Sequence, residues 1–172
     1  MATLDSLFCP CLTPVQQENF ELLFEDLSAS QHSAYPSSFF QLDPLRKYEL
    51  YDRRILFQWL EKNGYRTEFQ IGAGTPLGWA RIIESPAQPN VLKLNLFFAT
   101  SRNANLGWEL LQKDIIDNNK IFKISVECLE SDQILLNSLL SLDFSKEFEL
   151  HQYHYMNGLY DPLVFLARFY HE

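Results

Sequence analysis

The stretch from Asn90 to Glu130 contains a strand, a helix and a second strand in succession, and this order constrains the fold more than any other feature. In "NVLKLNLFFAT", Leu92, Leu94 and Leu96 alternate with other residues, as in a strand with one apolar face. A helix is predicted from about residue 105 to 118, and "IFKISVECLE" is the next strand. Two strands joined through a helix usually pair in parallel with a right-handed crossover, so a parallel pair is expected here.

Further elements on both sides of this unit indicate a mixed sheet. "SLFCPCLT" is predicted as a strand, and helices follow the N-cap residues Thr13 and Asp43. Strands at Thr67–Ile71 and Leu77–Glu84 flank a Gly-Ala-Gly-Thr-Pro turn. A helix in "DQILLNSLLSLD" precedes the strands "KEFELHQYHYM" and "DPLVFLARFY", which an Asn-Gly turn joins. The predicted order is β-α-α-β-β-β-α-β-α-β-β, an α/β mixed sheet.

The composition is that of a globular protein with an acidic surface. The 172 residues are 47% hydrophobic and 15% aromatic, enough for a core, so one domain over residues 1–172 is expected. The net charge of -8 argues against nucleic acid and favours a cationic partner such as an amine. No apolar run approaches the roughly 18 residues that cross a membrane, so we expect a soluble, cytoplasmic protein.

The three cysteines, Cys9, Cys11 and Cys128, are interpreted as packing residues. Their odd number and low density favour a reducing compartment. A metal site needs more ligands, and neither a CxxC motif nor a histidine cluster supplies them, so no metal is expected.

The segment Arg102–Gly107 joins the strand to the helix and has two interpretations. It is either an ordinary strand-to-helix turn or a phosphate-binding cradle at the helix N-terminus. Unpaired N–H groups and the partial positive charge of a helix N-terminus bind anions when the preceding loop is open. Asn103 and Asn105 tolerate the left-handed conformation that such a loop uses, and the Arg102 side chain adds a charged contact.

Several segments, in order along the chain, resemble the GNAT superfamily of N-acetyltransferases. Arg102, Asn105 and Gly107, with leucines after them, take the places of the family pattern Arg/Gln-x-x-Gly-x-Gly/Ala, with Asn105 replacing the first glycine. "LFCPCLTPVQQENFELLFEDL" is similar to the family's first strand and helix, and "TPLGWARI" to a later strand. "VECLESDQILLNSLLSLDF" and "YHYMNGLYDPLVFLAR" resemble the closing strand–helix unit and the last hairpin.

This resemblance implies transfer of an acyl group, usually acetyl, from acetyl-CoA to the amine of a small molecule or protein. Two central parallel strands splay apart in this fold, and the pantetheine arm lies in the gap. The residues implied in contacts with the arm and the phosphates are Leu96, Phe97, Phe98, Arg102, Asn103, Ala104, Asn105, Leu106, Gly107 and Trp108. Trp108 is bulky for this place, and it either packs on the helix flank or partly blocks the cradle.

A carboxylate that accepts the proton of the attacking amine is the expected catalytic group. The resemblance places Glu127 in this role, and the strand period puts Lys123, Ser125 and Glu127 on one face, opposite Phe122, Ile124, Val126 and Cys128. The alternative for Glu127 is a solvated sheet face without a role. Asp132 matches a family asparagine that contacts CoA, and its alternative is a plain helix cap.

One departure from the family pattern bears on activity. By its spacing to Asp143-Phe144, Leu139 stands where the family often has a tyrosine that protonates the departing thiolate. The candidates to replace that tyrosine are Tyr153, His154 and Tyr155, on the next strand. The rival interpretation is a catalytically inactive module of the same fold that binds CoA, another ligand or a protein. Many members of this superfamily form homodimers through the sheet edge or the last strands, and the resemblance extends that expectation to this chain.

Overall fold

The computed structural model describes residues 12–14, 21–23, 25–26, 68–72, 75–83, 90–113, 121–156 and 158–170. The predictions that lie outside these residues include the helix after Asp43, the loop before it, the packing of Cys9 and Cys11, and the end of the helix predicted to reach residue 118. The described residues form seven strands and two helices, and residues 21–23 and 25–26 are also helical.

The strands are β1 (Leu12–Pro14), β2 (Glu68–Ile71), β3 (Gly78–Ile83), β4 (Val91–Phe97), β5 (Lys123–Leu129), β6 (Ser145–Met156) and β7 (Leu159–Phe169). Helix α1 (Ser101–Leu111) joins β4 to β5, and helix α2 (Gln133–Ser141) joins β5 to β6. The strands make one sheet in the order β1-β2-β3-β4-β5-β7-β6. Strands β4 and β5 pair in parallel, and all other neighbours pair antiparallel, which confirms the predicted mixed sheet.

Two boundaries differ from the sequence-based expectation. Helix α1 begins at Ser101, four residues before the predicted start, because the side chain of Thr100 accepts a hydrogen bond from the Asn103 N–H and caps the helix. Phe122 was expected on the buried face of its strand but is exposed, because β5 begins only at Lys123. The Phe122 ring packs edge-on against Phe169 instead.

The main core lies between one face of the sheet and the helices α1 and α2. The apolar residues of β4 and β5 that alternate along the sequence point into it, as the strand period predicts. From the helices, Trp108 and Leu111 of α1 and Leu135 and Leu139 of α2 pack against them. Burial of these side chains holds α1 directly behind the end of β4, where a ligand in the sheet would meet its N-terminus.

The helical residues 21–23 and 25–26 cover the other face of the sheet beside β3. Leu23 is fully buried, and the Trp79 indole N–H donates a hydrogen bond of 2.7 Å to Oδ2 of Asp26. Trp79 is therefore a core aromatic, while its neighbour Ala80 packs in the α1 and α2 layer. The two faces of the sheet thus differ, because the first is closed by α1 and α2 and the second carries the polar residues described below.

Candidate functional site

The central parallel strands separate before they end. Their pairing runs from Val91–Lys123 to Leu94–Val126 and goes no further. Both strands continue for three more residues, β4 paired to β3 and β5 paired to β7. A gap therefore opens between β4 and β5 toward their carboxyl ends, as the resemblance implied. Extended ligands bind to strand edges of this kind through backbone hydrogen bonds.

The β4 wall of this gap leads directly to the N-terminus of α1. Leu96, Phe97 and Phe98 are buried along this wall, and Leu96 and Phe98 belong to the main core. Thr100 then caps the helix, accepting from Asn103 N at 3.1 Å on its hydroxyl and from Ala104 N at 3.0 Å on its carbonyl. Residues 105–108 lie inside the helix, where each N–H bonds to the carbonyl four residues earlier.

The donors that remain at this N-terminus are therefore fewer than the sequence suggested. The first N–H groups of an α-helix have no intrahelical acceptor, and those of Ser101 and Arg102, the first two helical residues, are among them. The side chains of Ser101, Arg102 and Asn105 are exposed around them, and Leu106 is partly exposed beside them. An anion there would meet these backbone donors, the helix dipole and one guanidinium.

Gly107 and Trp108 serve packing in this structure. A Cβ atom on Gly107 would lie 2.6 Å from Cε1 of Phe98, and one on Gly78 would lie 2.4 Å from Cδ1 of the same ring. The Phe98 ring is thus wedged between α1 and β3, and the absent side chain of Gly107 makes room for it. Trp108 is buried and meets Phe144 edge-on at 4.9 Å, so it lies in the core and does not cover the helix N-terminus.

The β5 wall of the gap carries the predicted base. Glu127 is the first residue of β5 beyond the parallel pairing, on the sheet face opposite α1 and α2. Its Oε1 lies 2.5 Å from Nζ of Lys93, which stands one residue before the last paired residue of β4. The face thus holds Lys93, Ser125 and Glu127 together, as the strand period predicted for the latter two.

Asp132 is the N-cap of α2. Its side chain accepts from Leu135 N at 3.0 Å, and the residue is only 5% exposed. Asp161 of β7 stabilises the preceding turn, because its Oδ1 accepts a hydrogen bond from Ser131 N at 3.1 Å. The structure therefore gives Asp132 the structural role of a helix cap, and shows nothing that assigns it to CoA.

Cys128 precedes this turn, and its thiol has low reactivity. It is buried in the core, as predicted for a packing cysteine. Burial, with smaller contributions from the charges of Asp132 and Asp161, raises the pKa of its thiol to about 12. The thiol stays protonated near neutral pH and is a poor nucleophile.

The three candidates to replace the family tyrosine lie on β6. Leu139 is buried in the core, so a tyrosine at that position would point into the core. Tyr153 lies on β6 and is 43% exposed. Partial burial, then the negative charge of Glu127, raises the pKa of Tyr153 above its usual value of 10.0. The Tyr153 hydroxyl therefore keeps its proton at neutral pH. The side chain of His154 is not described, and Tyr155 pairs with Tyr160 at 5.0 Å.

Two residues of this site were missed by sequence reasoning. Thr100 stands directly before the helix and could have been found as an N-cap, because threonine is favoured there. Lys93 points to the same face of the sheet as Glu127 but lies on a different strand. Only the register between β4 and β5 brings the two together.

Neither a metal-binding cluster nor a membrane-spanning helix is found in the described part of the chain. No group of three or more His, Cys, Asp or Glu side chains there is arranged to hold a metal ion. Among the same residues, no helix has the length and apolar character needed to cross a membrane.

Known structures share this fold, although no family model matches the sequence and no curated protein does. A GNAT-family acetyltransferase from Bacillus anthracis superposes with a TM-score of 0.68 at 11% identity, covering 92% of this chain and 93% of its own. Spermidine N-acetyltransferase from Vibrio cholerae, in complex with CoA and spermine, has a TM-score of 0.66 at 12% identity, covering 92% and 94%. Ribosomal-protein-alanine N-acetyltransferase from Brucella melitensis has a TM-score of 0.62 at 15% identity, covering 92% and 99%. The chain therefore has the fold of the GNAT N-acetyltransferases.

Proposed function

We propose that this protein is an acyl-CoA-dependent N-acyltransferase that transfers acetyl from acetyl-CoA to a primary amine. The observation that carries the proposal is the gap between β4 and β5, with the α1 N-terminus at its mouth and Glu127 on its β5 wall. The similar structures include enzymes whose names give a spermidine and a ribosomal-protein acceptor, and one of them holds CoA. These names support an amine acceptor and a CoA donor.

Different parts of the gap would bind the CoA phosphates, hold the pantetheine arm and accept the proton. The N–H groups of Ser101 and Arg102 and the Arg102 side chain would bind the CoA phosphates. The pantetheine arm would lie along the β4 wall formed by Leu96–Phe98. Acetyl-CoA supplies the acyl group, and Glu127 accepts a proton from the amine as its nitrogen attacks the thioester. The net charge of -8 attracts cationic acceptors to such a site.

A protein variant that removes one backbone donor tests the phosphate site. Ser101 is the first residue of α1, a position that proline occupies readily. Ser101→Pro removes its N–H and should weaken acetyl-CoA binding by roughly tenfold in calorimetry, since a hydrogen bond to a charged group contributes about 1.5–3 kcal/mol. Ser101→Ala keeps the N–H and should bind like the unaltered protein. Equal binding by both variants would place the phosphates elsewhere.

Tyr153 is the candidate acid for the departing thiolate, because partial burial and the charge of Glu127 raise its pKa and it keeps its proton at neutral pH. Tyr153→Phe should lower kcat for acetylation of an amine while leaving acetyl-CoA affinity unchanged. Tyr155→Phe is a matched control, because Tyr155 is on the same strand and its ring packs on Tyr160. Equal kcat values for the two variants would exclude Tyr153 from this role.

A second candidate function is binding without turnover. The ion pair between Lys93 and Glu127 favours it, because a carboxylate engaged by a lysine is less available to an incoming amine. The burial of Leu139 adds to it, since the usual tyrosine has no counterpart there. Acetyl-CoA binding without acetylation of polyamines, lysine peptides or peptide N-termini would identify this function.

A further inference from the structure

The cation that Lys93 presents to Glu127 is itself a primary amine. Nζ of Lys93 lies 2.5 Å from Oε1 of Glu127. In the proposed function, the amine of the acceptor must reach the same carboxylate in order to transfer its proton. An amine of the chain thus occupies the position that an external acceptor requires.

Lys93 also lies at the inner end of the gap. A CoA molecule with its phosphates at the α1 N-terminus directs its pantetheine arm back along β4, from Phe97 toward Leu94. Pairing of β4 with β5 closes the gap at Leu94 and Val126. From Phe97 to Lys93 the strand rises by roughly 13 Å. The thioester at the end of the arm would therefore reach the region where Lys93 and Glu127 face each other.

We propose, on the basis of the proposed function, that Lys93 is an acceptor of its own enzyme and is acylated at Nζ by bound acetyl-CoA. Glu127 takes one proton from the ammonium, and the neutral nitrogen attacks the thioester carbonyl. The new C–N bond forms as the C–S bond breaks. The CoA thiolate leaves with the electron pair of that bond and takes up the second proton that the nitrogen loses, and the product is an uncharged amide on Lys93.

Two other lysines of the described residues provide internal references. Lys123 pairs with Glu147 at 2.7 Å, and Lys146 pairs with Glu149, so each has the same local chemistry as Lys93. The side chains of Lys93, Lys123 and Lys146 are 33%, 20% and 48% exposed. Acylation governed by exposure would therefore modify Lys146 first. Acylation governed by the gap would modify Lys93 first.

The test is a time course of the purified full chain with acetyl-CoA, followed by intact-protein mass spectrometry and peptide mapping. Lys93 should be acetylated at least tenfold faster than Lys123 and Lys146. The rate constant should not vary with protein concentration, because the reaction takes place within one chain. Glu127→Gln should slow acetylation of Lys93 at least tenfold while acetyl-CoA binds with unchanged affinity. Lys93→Arg should remove the fast modification and keep the positive charge.

Three results are distinguishable. Fast, Glu127-dependent acetylation of Lys93 supports the inference. Acetyl-CoA binding with acetylation of an added amine, but with Lys93 no faster than Lys146 or insensitive to Glu127→Gln, overturns the inference and leaves the proposed function standing. No acetyl-CoA binding, in a protein with the circular dichroism of a folded α/β chain, overturns both.

Discussion

The helices α1 and α2 start at equivalent places, each after one of the two central parallel strands, but their N-termini are capped differently. Thr100, an exposed neutral residue, caps α1, and the first turn of that helix, described in full, contains no acidic residue. A buried carboxylate, Asp132, caps α2. Asp161 adds a second carboxylate, which binds the turn just before α2.

The difference favours α1 over α2 as the place of the proposed phosphate site. The partial positive charge of the α2 N-terminus is already matched by carboxylates of the chain itself. Among the described residues, the hydroxyl of Thr100 and the Arg102 side chain lie at the same partial charge of α1, and a phosphate would add a negative charge there. The α2 N-terminus is thus closed by carboxylates, and the α1 N-terminus is open in the sense that its cap is neutral.

The largest effect is expected at the buried cap. Asp132→Ala should lower the free energy of unfolding by about 2 kcal/mol, because it removes a cap and leaves the N–H of Leu135 buried without its partner. Thr100→Ala should lower the free energy of unfolding by about 1 kcal/mol or less, because water can replace the lost hydrogen bond at the exposed α1 terminus. Urea unfolding measures both, and Asp132→Asn should recover part of the loss. Equal losses at the two caps would contradict the comparison.

A smaller loss of stability is expected from a substitution on the flank of α1. Gly107→Ala places a Cβ atom against the Phe98 ring, and overpacking of this kind costs about 1–3 kcal/mol. The better helix propensity of alanine returns about 1 kcal/mol, so a net loss near 1.5 kcal/mol is expected in urea unfolding. Acetyl-CoA affinity measured below the unfolding transition should stay within twofold. A stable variant with lost affinity would instead show that Gly107 faces the ligand.

Giving α1 a carboxylate cap like that of α2 should weaken the binding of acetyl-CoA. Thr100→Asp gives α1 a carboxylate cap like that of α2, and about 0.5 kcal/mol of added stability is expected from the helix dipole. The same charge repels the CoA phosphates, so the Kd of acetyl-CoA should rise roughly tenfold, or about 1.4 kcal/mol. Thr100→Asn, a neutral cap, is the control. Unchanged affinity in Thr100→Asp would remove α1 from the binding site.

The order of elements could be predicted from the sequence because it depends on local patterns. Alternation in β4 and β5 and the helix between them were sufficient to predict the parallel pair and the face that carries Glu127. The end of the β4–β5 pairing after Leu94 was implied only by the resemblance, because it depends on competing partners in β3 and β7.

Long-range contacts account for the parts of the site that the sequence did not reveal. Gly107 was interpreted as a position of close approach to phosphate, but the approaching group is the ring of Phe98, from the end of β4. The asparagines of α1 suggested a loop, although Thr100 was available to start the helix earlier. Lys93 meets Glu127 through strand register, which no single segment encodes.

The smallest effect is expected at the other end of α2, where a carboxylate is unfavourable. Asp143 has φ 63° directly after the helix, and Phe144 N donates to the Leu139 carbonyl at 3.1 Å, as in a Schellman motif. Asp143→Gly should raise the free energy of unfolding by about 0.5 kcal/mol, because glycine adopts this conformation without strain and the negative charge leaves the helix C-terminus. The exposed, 3.9 Å contact with Arg168 contributes little to stability.

Asp143→Ala removes the charge but keeps the Cβ atom, so in parallel urea titrations it should gain less stability than Asp143→Gly. A gain from alanine equal to that from glycine would assign the whole effect to charge and none to the backbone.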